Sequence, residues 1–223
     1  MEISRRHRFI FIHVYRAGGQ SVRAALRPYA YIPRGRVLRV PVLRRVTGAA
    51  RIQELRAHRY GHIKAKQLQA GLPGEMFDSY FKFAFARNPW DWQVSIYHHV
   101  RQFEGHPYHA RYASFSGFED YLDWSINEQG AELQTEFVLS DSGRLLVDFI
   151  GHYETLAEDF ATVCGRIGIQ ASLPHVNRST HRDFRDYYTP ATRALVADAY
   201  RDDIEFFGYE FDRRRTLAPI VPP

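Results

Sequence analysis

The sequence predicts an α/β fold with a central, mostly parallel β-sheet flanked by helices. Two segments indicate this: a strand at 8–14 leads through a glycine turn into a helix at 21–26, and a strand at 80–86 leads into a helix at 90–100. In both strands, aromatic and aliphatic residues alternate with small or polar ones, which is the period of a β-strand. Strands that alternate with helices are typical of a layered fold with a parallel sheet.

The remaining elements follow from the same patterns. Apolar periodicity and turn residues predict a helix at 63–70, a helix at 116–126 with Ser116 as N-cap, a hairpin-like pair at 137–139 and 145–150, and amphipathic helices at 156–167 and 190–207. Residues 31–59 are rich in arginine and predict no definite element. We expect a single domain over 1–215 and a flexible tail over 216–223, which holds three prolines.

The composition excludes several classes of protein. With 45% hydrophobic and 15% aromatic residues in a chain of 223, it is not that of a disordered protein. The single cysteine, Cys164, excludes an intrachain disulfide or a cysteine-based zinc cluster, and its apolar neighbours predict a small buried side chain. No N-terminal apolar stretch has the length of a signal-peptide core or a membrane span, so we expect a cytoplasmic protein.

The charge is polarised along the chain, although the net charge is only +5. Residues 1–66 hold 14 Arg, 2 Lys and 2 Glu, a net charge of +14, whereas residues 67–223 carry a net charge of −9. One explanation is an anionic ligand or partner of the N-terminal part. The other is that the basic and acidic parts of the chain compensate each other.

The first candidate site is the run His-Val-Tyr-Arg-Ala-Gly-Gly-Gln-Ser at residues 13–21. Adjacent glycines allow the backbone to approach an anion, Arg16 supplies charge, and Ser21 can hydrogen-bond an oxygen at the start of a helix. The run lacks both the lysine of a nucleotide-triphosphatase loop and the three spaced glycines of the dinucleotide fingerprint. An ordinary tight turn is the alternative.

The second candidate site follows the strand at 80–86. Arg87 ends that strand, and Ser95 lies two helical turns further on. Both side chains can point over the carboxyl end of the sheet, where ligands of open α/β folds usually bind. The alternative is that Arg87 pairs with a nearby carboxylate such as Asp91.

Together these motifs resemble those of the carbohydrate-type (Golgi and bacterial) sulfotransferases, which use 3′-phosphoadenosine 5′-phosphosulfate (PAPS). The shared pattern is His-x-x-basic-x-Gly-Gly-x-Ser after one strand and Arg-Asn-Pro-aromatic-Asp, with Ser eight residues after the Arg, behind a Phe-rich strand. Further matches lie at 148–156, 175–179, 187–188, 192–196 and 203–211. The resemblance therefore covers about residues 8–212 and is thin only across 28–60.

The resemblance implies a P-loop-like three-layer sandwich that moves the sulfuryl group of PAPS in line to a hydroxyl or amine acceptor. It further implies a carbohydrate or glycoconjugate acceptor, 3′,5′-adenosine bisphosphate as product, and no metal. The residues that it assigns to PAPS are Arg16, Ala17, Gly18, Gly19, Gln20 and Ser21 for the 5′-phosphosulfate, Arg87 and Ser95 for the 3′-phosphate, Tyr153 near adenine, and Asn177 and Ser179 closing over the cofactor. A core position for Tyr153 and a capping or loop role for Asn177 and Ser179 are the alternatives.

The sequence departs from the family pattern at three positions. Tyr15 and Arg16 stand where the family usually has Pro and Lys, and Trp92 stands where it often has Arg. Arginine keeps the charge and can hold an oxyanion with two donors, but it does not give up a proton. We therefore interpret Arg16 as an electrostatic stabiliser of the leaving 5′-phosphate and not as a general acid.

The base that takes the acceptor proton is predicted to be a histidine, since its ordinary pKa of about 6.5 suits neutral pH. His62 is the first choice, because Gly61-His62 resembles the Gly-His segment of heparan sulfate 2-O-sulfotransferases. An exposed loop histidine is the alternative for this residue. His13, the second choice, fits a packed structural role better, and His98 or His99 could face the cleft.

Two other functions compete with sulfuryl transfer. A nucleotide-dependent phosphotransferase would need the missing lysine and an acidic magnesium ligand. A basic module that binds nucleic acid through residues 1–66 would need exposed aromatics among the arginines, so no nucleic-acid partner is expected. The excess arginine at 34–59 falls where acceptor contacts are expected, which suggests an anionic acceptor, with self-compensation by the acidic part as the alternative.

Overall fold

The computed structural model describes residues 1–30, 62–174, 182–212 and 217–222. The strands within these ranges are β1 Glu2–Ser4, β2 Phe9–Phe11, β3 Phe81–Ala86 and β4 Phe149–His152. The α-helices are α1 Gly19–Leu26, α2 Ala65–Gly71, α3 Gly74–Ser79, α4 Pro89–Gln102, α5 His109–Ser114, α6 Phe118–Asp123, α7 Leu156–Ile167, α8 Pro190–Ala199 and α9 Arg201–Phe207. Short turns of other helix types lie at Trp124–Glu128, Thr135–Phe137, Tyr153–Thr155 and Phe184–Tyr187.

The chain divides into two compact units, which we call the sheet unit and the helical unit. The sheet unit consists of Met1–Ala86, Glu136–Asn177 and Ala218–Pro223, and the helical unit of Arg87–Thr135 and Arg178–Leu217. The single domain over 1–215 expected from the sequence stays a prediction, and each unit is described by itself.

The sheet unit contains one four-stranded sheet in the order β1-β2-β3-β4. The strand β1 is antiparallel to β2, whereas β2, β3 and β4 are parallel to one another. The prediction of an α/β fold with a mostly parallel sheet is confirmed.

One face of the sheet is covered by an apolar core. The alternating sequence Phe-Lys-Phe-Ala-Phe-Ala of β3 places Phe83 and Phe85 on this face, and Phe83 stacks on Phe11 of β2 with ring centroids 5.3 Å apart. Helices α1 and α7 contribute seven further members of the cluster: Val22, Ala25, Leu26, Phe160, Val163, Cys164 and Ile167. Cys164 is thus the small buried side chain that was predicted, and burial raises the pKa of its thiol.

The opposite face of the sheet is also covered by a helix. Lys82 points away from the phenylalanine face, its Nζ lies 5.4 Å from the ring centre of Phe77 on α3, and it pairs with Asp148 at 2.9 Å. Helices therefore flank both faces of the sheet, as predicted.

The helical unit is built around buried aromatic and amide side chains. Trp92 on α4 meets Tyr200 edge to face, with ring centroids 6.1 Å apart. Gln93 donates to the Tyr200 hydroxyl at 2.9 Å and accepts from the Tyr121 hydroxyl at 2.6 Å. None of the helices in the described ranges of the chain is both long and apolar enough to cross a bilayer.

Several element boundaries differ from the predicted ones. The predicted helix at 190–207 is two helices, because Tyr200 leaves the helical conformation with φ −111°. The helix predicted at 116–126 begins at Phe118 with Gly117 in the cap position, while the Ser116 hydroxyl contacts Asp120 instead. In the predicted hairpin-like pair, Leu139 and Leu145 form a single antiparallel bridge.

The last described residues lie against β4. Ile220 exchanges both backbone hydrogen bonds with Ile150, each 2.9 Å long. Nearby, His152 donates through Nε2 to the Ala218 carbonyl at 3.2 Å. At Ala218 and Ile220, the segment expected to be a flexible tail is thus hydrogen-bonded to β4.

Candidate active site

The loop between β2 and α1, residues 13–18, is shaped by two residues with positive φ. Gly18 has φ 77° and precedes the first helical residue, while Arg16 has φ 59°, which is uncommon for a residue with a side chain. This geometry turns the chain sharply from the end of β2 into α1. The predicted order of strand, glycine turn and helix is therefore present, with α1 beginning at Gly19.

Both glycines of the loop are required by close contacts. A Cβ atom on Gly19 would lie 1.9 Å from the imidazole of His13. A Cβ atom on Gly18 would lie 2.5 Å from Leu156 Cδ2 and 3.2 Å from Tyr153 Cδ2. The loop is thus packed between His13 on one side and the start of α7 on the other.

The start of α1 offers donors that suit an anion. Gly18 supplies no side-chain cap, and the first turn holds no acidic residue. The first N–H groups of a helix, here those of Gly19 and Gln20, have no acceptor within the helix and carry the positive end of its dipole. Together with the nearby Arg16, this donor set fits a phosphate or sulfate group and would repel a cation.

His13 and His62 lie beside this loop as a pair. Their ring centroids are 4.5 Å apart, and His62 Nδ1 lies 3.1 Å from the His13 carbonyl oxygen. Because a carbonyl oxygen only accepts, Nδ1 must carry the proton, and neutral His62 therefore has its lone pair on Nε2.

His13 itself is 2% exposed. Burial, followed by the charges of His62, the N-terminus, Arg23 and Arg16, lowers its pKa well below the usual value. Its Nδ1 is buried, and no hydrogen-bond partner reaches it from the residues that the structure describes. An imidazole whose pKa is lowered well below its usual value is a poor general base, so the contact of His13 with Gly19 indicates a packing role under the loop.

Arg87 opens the helical unit directly after β3. Its side chain is almost completely buried, and Nε donates to Asp91 Oδ2 at 2.8 Å. The pairing considered as an alternative is therefore present, but a guanidinium carries four more N–H donors on its two terminal nitrogens. Ser95 lies one turn beyond Asp91 on the same face of α4 and is 1% exposed.

The sequence of residues 1–210 matches the sulfotransferase family. The chain belongs to the sulfotransferase family. Its fold also resembles that of a mouse sulfotransferase, SULT7A1, whose crystal structure is described as a complex with PAP. That match has a TM-score of 0.52 and 13% identity over 90% of this chain and 86% of the mouse chain. An uncharacterized protein of Archaeoglobus fulgidus is 30% identical over 115 residues, 50% of this chain and 88% of its own length.

Membership of the sulfotransferase family favours sulfuryl transfer over the two competing functions. The loop of this sulfotransferase also lacks the lysine that a nucleotide-triphosphatase loop places before its serine or threonine. The family match over residues 1–210 includes the arginine-rich segment, so that segment lies within the sulfotransferase region of the chain.

The predicted site residues of the sulfotransferase fall into separate groups. In the sheet unit, the structure brings the loop with Arg16, Gly18 and Gly19 together with His13, His62 and Tyr153. In the helical unit it places Arg87 just before α4 and Ser95 in the middle of α4. Asn177, Ser179 and the arginine-rich segment 34–59 lie outside the described residues.

Trp92, His98 and His99, which the sequence analysis singled out, lie against aromatic side chains of the helical unit. Trp92 is completely buried against Tyr200, so at this departure from the family pattern the chain has a core residue. His98 contacts the rings of Tyr97 and Tyr187, and His99 stacks on Phe103.

Sequence reasoning missed several polar residues near these groups. Lys64, two residues after His62, pairs with Glu136 and lies 5.4 Å from the centre of the Phe137 ring. In the helical unit, Gln134 and Asp203 are both fully buried, and Gln134 bonds to the backbone of Arg87. Lys64 and Gln134 lie outside the matched motifs, and the match at 203–211 assigned no role to Asp203.

Proposed function

We propose that this sulfotransferase moves the sulfuryl group of PAPS to an acceptor hydroxyl or amine, with His62 as the base. The observation that carries the proposal is the hydrogen bond from His62 Nδ1 to the His13 carbonyl oxygen. It presents a basic Nε2 from a histidine whose neighbour packs under the anion-binding loop.

His62 would act by taking the proton of the acceptor. As the acceptor oxygen or nitrogen bonds to sulfur, its proton passes to Nε2, and His62 becomes an imidazolium held in place by its Nδ1–H bond. Tyr15 supports this orientation, since its ring meets that of His62 edge to face at 5.6 Å. Buried His13 stays neutral beside it and places no second charge next to the imidazolium.

The loop residues would hold the 5′-phosphosulfate. PAPS, when bound, supplies a sulfuryl group on a 5′-phosphate leaving group, and the S–O bond to that phosphate breaks as the acceptor bond forms. The helix N–H groups and the Arg16 guanidinium would stabilise the negative charge that collects on the leaving phosphate oxygen. Arg16 keeps its proton throughout, because a guanidinium does not ionise at neutral pH.

For the 3′-phosphate we retain Arg87 and Ser95, on the family resemblance and on the positive charge of the buried Arg87 side chain. Tyr153 is proposed to lie near adenine, since its ring lies beside the loop at Gly18. Asn177 and Ser179 remain proposed to close over the cofactor. That the mouse structure is a complex with PAP supports a bisphosphate nucleotide as the product.

The acceptor is proposed to be a carbohydrate or glycoconjugate with negative charge. The support is the net charge of +14 over residues 1–66, most of which the loop does not use. If the basic and acidic parts of the chain instead compensate each other, added salt should change the Michaelis constants of the acceptor and of PAPS equally. The two explanations separate in the Michaelis constants: screening of an anionic acceptor by added salt should raise the acceptor constant far more than the PAPS constant. The cytoplasmic location stays a prediction.

The proposed function is tested by mass-spectrometric assay of PAPS with panels of carbohydrate, lipid and phenolic acceptors. We expect a sulfated product and an equal amount of 3′,5′-adenosine bisphosphate with at least one carbohydrate. Absence of any product, together with absence of bisphosphate binding in calorimetry, contradicts the proposal. A thermal shift with ATP that needs Mg²⁺ and exceeds the shift with bisphosphate would support a phosphotransferase instead.

A further inference from the structure

The backbone of Arg87 is held by a buried glutamine. The Arg87 N–H donates to Gln134 Oε1 at 2.9 Å, and Gln134 Nε2 donates to the Arg87 carbonyl oxygen at 2.7 Å. The side-chain amide thus pairs with both backbone groups of one residue, as a neighbouring strand would.

Gln134 is itself held by a buried carboxylate. Asp203 on α9 accepts from the Gln134 backbone N–H at 2.7 Å through Oδ2. Its Oδ1 accepts from the N–H and the hydroxyl of Thr135, both at 2.8 Å. Asp203 and Gln134 are both fully buried, so these bonds are protected from competition by water.

The chemistry of this arrangement requires glutamine. A glutamate at 134 would place an oxygen against the Arg87 carbonyl, and an apolar side chain would leave a buried N–H and a buried carbonyl unpaired. Gln134 holds the backbone of Arg87, and Asp91 holds Nε of its side chain. Both ends of the Arg87 side chain are therefore fixed. The planar guanidinium is thus held in one preset orientation.

We propose that Gln134, anchored by Asp203, is a positioning residue that presets Arg87 for the 3′-phosphate. The inference rests on the proposed role of Arg87, and it adds that the affinity for the 3′-phosphate depends on a residue that does not touch it. Loss of the clamp should weaken recognition of that one phosphate and leave recognition of the rest of the nucleotide intact.

The test compares two ligands on each variant by isothermal titration calorimetry: adenosine 3′,5′-bisphosphate and adenosine 5′-monophosphate, which lacks the 3′-phosphate. The preference for the bisphosphate is the ratio of the two dissociation constants. In Gln134→Met we expect this preference to fall about 10-fold or more, with the monophosphate affinity unchanged. In the double variant with Arg87→Ala, Gln134→Met should cause no further fall.

The matched control is Gln93→Met. Gln93 is as deeply buried in the same unit and also uses both ends of its amide, but its partners are the hydroxyls of Tyr200 and Tyr121. It should lower the melting temperature and leave the preference for the bisphosphate at the wild-type value. An equal fall in Gln93→Met and Gln134→Met would show a general effect of instability and overturn the inference.

The outcomes separate the inference from the proposed function. If Arg87→Ala lowers the preference for the bisphosphate but Gln134→Met leaves it at the wild-type value, the inference is overturned and the 3′-phosphate assignment stands. A wild-type preference in Arg87→Ala overturns the 3′-phosphate assignment and the inference with it. If Gln134→Met does not fold, amide hydrogen exchange of the wild-type protein decides: slow exchange at Arg87 without ligand supports the clamp, and exchange at the rate of an open loop overturns it.

Discussion

The two segments proposed to bind anions differ in the groups that they offer to an anion and in the contacts that hold them in place. After β2, the chain offers backbone N–H groups at the start of α1, and steric contacts of Gly18 and Gly19 set its shape. After β3, the chain offers a side chain, that of Arg87, and hydrogen bonds to Asp91 and Gln134 set its position. The first segment excludes any side chain at its glycines, whereas the second depends on particular side chains.

The difference teaches which changes each segment tolerates. A backbone site survives substitution of most of its side chains but fails when a Cβ atom is added. A side-chain site survives small changes of backbone packing but fails when its charge or its clamp is lost. The proposed roles also differ: the base His62 lies beside the first segment, whereas Arg87, assigned to the 3′-phosphate, belongs to the second.

The largest effect is expected for His62→Ala. Loss of the base should lower kcat about 10²- to 10⁴-fold, with bisphosphate binding unchanged. Steady-state kinetics and calorimetry measure the two quantities. The control is His7→Ala, because His7 Nδ1 also lies against a carbonyl oxygen, that of Ile167, at 3.3 Å. Wild-type kcat in His62→Ala would place the base elsewhere.

Arg87→Ala should weaken bisphosphate binding, the quantity that His62→Ala is expected to leave unchanged. Charge-assisted hydrogen bonds are worth about 1.5–3 kcal/mol, so bisphosphate affinity should fall roughly 10- to 150-fold. The monophosphate should bind as it does to the wild type. Arg201→Ala, which removes an exposed partner of Asp198 in the same unit, is the control and should change neither affinity. Unchanged bisphosphate affinity in Arg87→Ala would remove the contrast between the two segments.

Gly19→Ala tests the steric character of the first segment. The added Cβ would overlap the His13 ring, and overpacking of this kind costs about 1–3 kcal/mol of unfolding free energy. Bisphosphate binding should weaken as the loop shifts. In Gly165→Ala on α7, no atom lies within 4 Å of the new Cβ, so the unfolding free energy should rise by roughly 0.5–1 kcal/mol. Equal stability of the two variants in chemical denaturation would show that the loop is not sterically restrained.

The smallest effect is a dependence on pH. Because burial lowers the pKa of His13, the unfolded chain binds a proton below about pH 6.5 that the folded protein does not. The unfolding free energy should therefore fall by up to about 1.4 kcal/mol per pH unit below that value for this residue. His13→Asn should flatten the slope only in part, since the pKa of His152 is also lowered by burial. Identical slopes in denaturation from pH 7.5 to 5.5 would contradict a buried, neutral His13.

The fold could be predicted where local patterns are strong. The phenylalanine alternation of β3 and the residues Asn88-Pro89 after it marked the strand and the start of α4, with the Asn88 side chain capping the helix as its type allows. The helix at 190–207 was predicted as one because its apolar pattern continues through Tyr200. A local backbone angle at that buried residue divides it.

By itself, the sequence determined the family and the two segments proposed to bind anions, because each motif is a contiguous run whose glycines, charges and strand period can be recognised locally. Only the tertiary structure decided which nitrogen of His62 is basic and that Gln134 and Asp203 hold Arg87. These hydrogen bonds join residues 49, 47 and 69 positions apart in the chain. A bond between such distant residues leaves no periodic or local signal, since it exists only after the chain has folded.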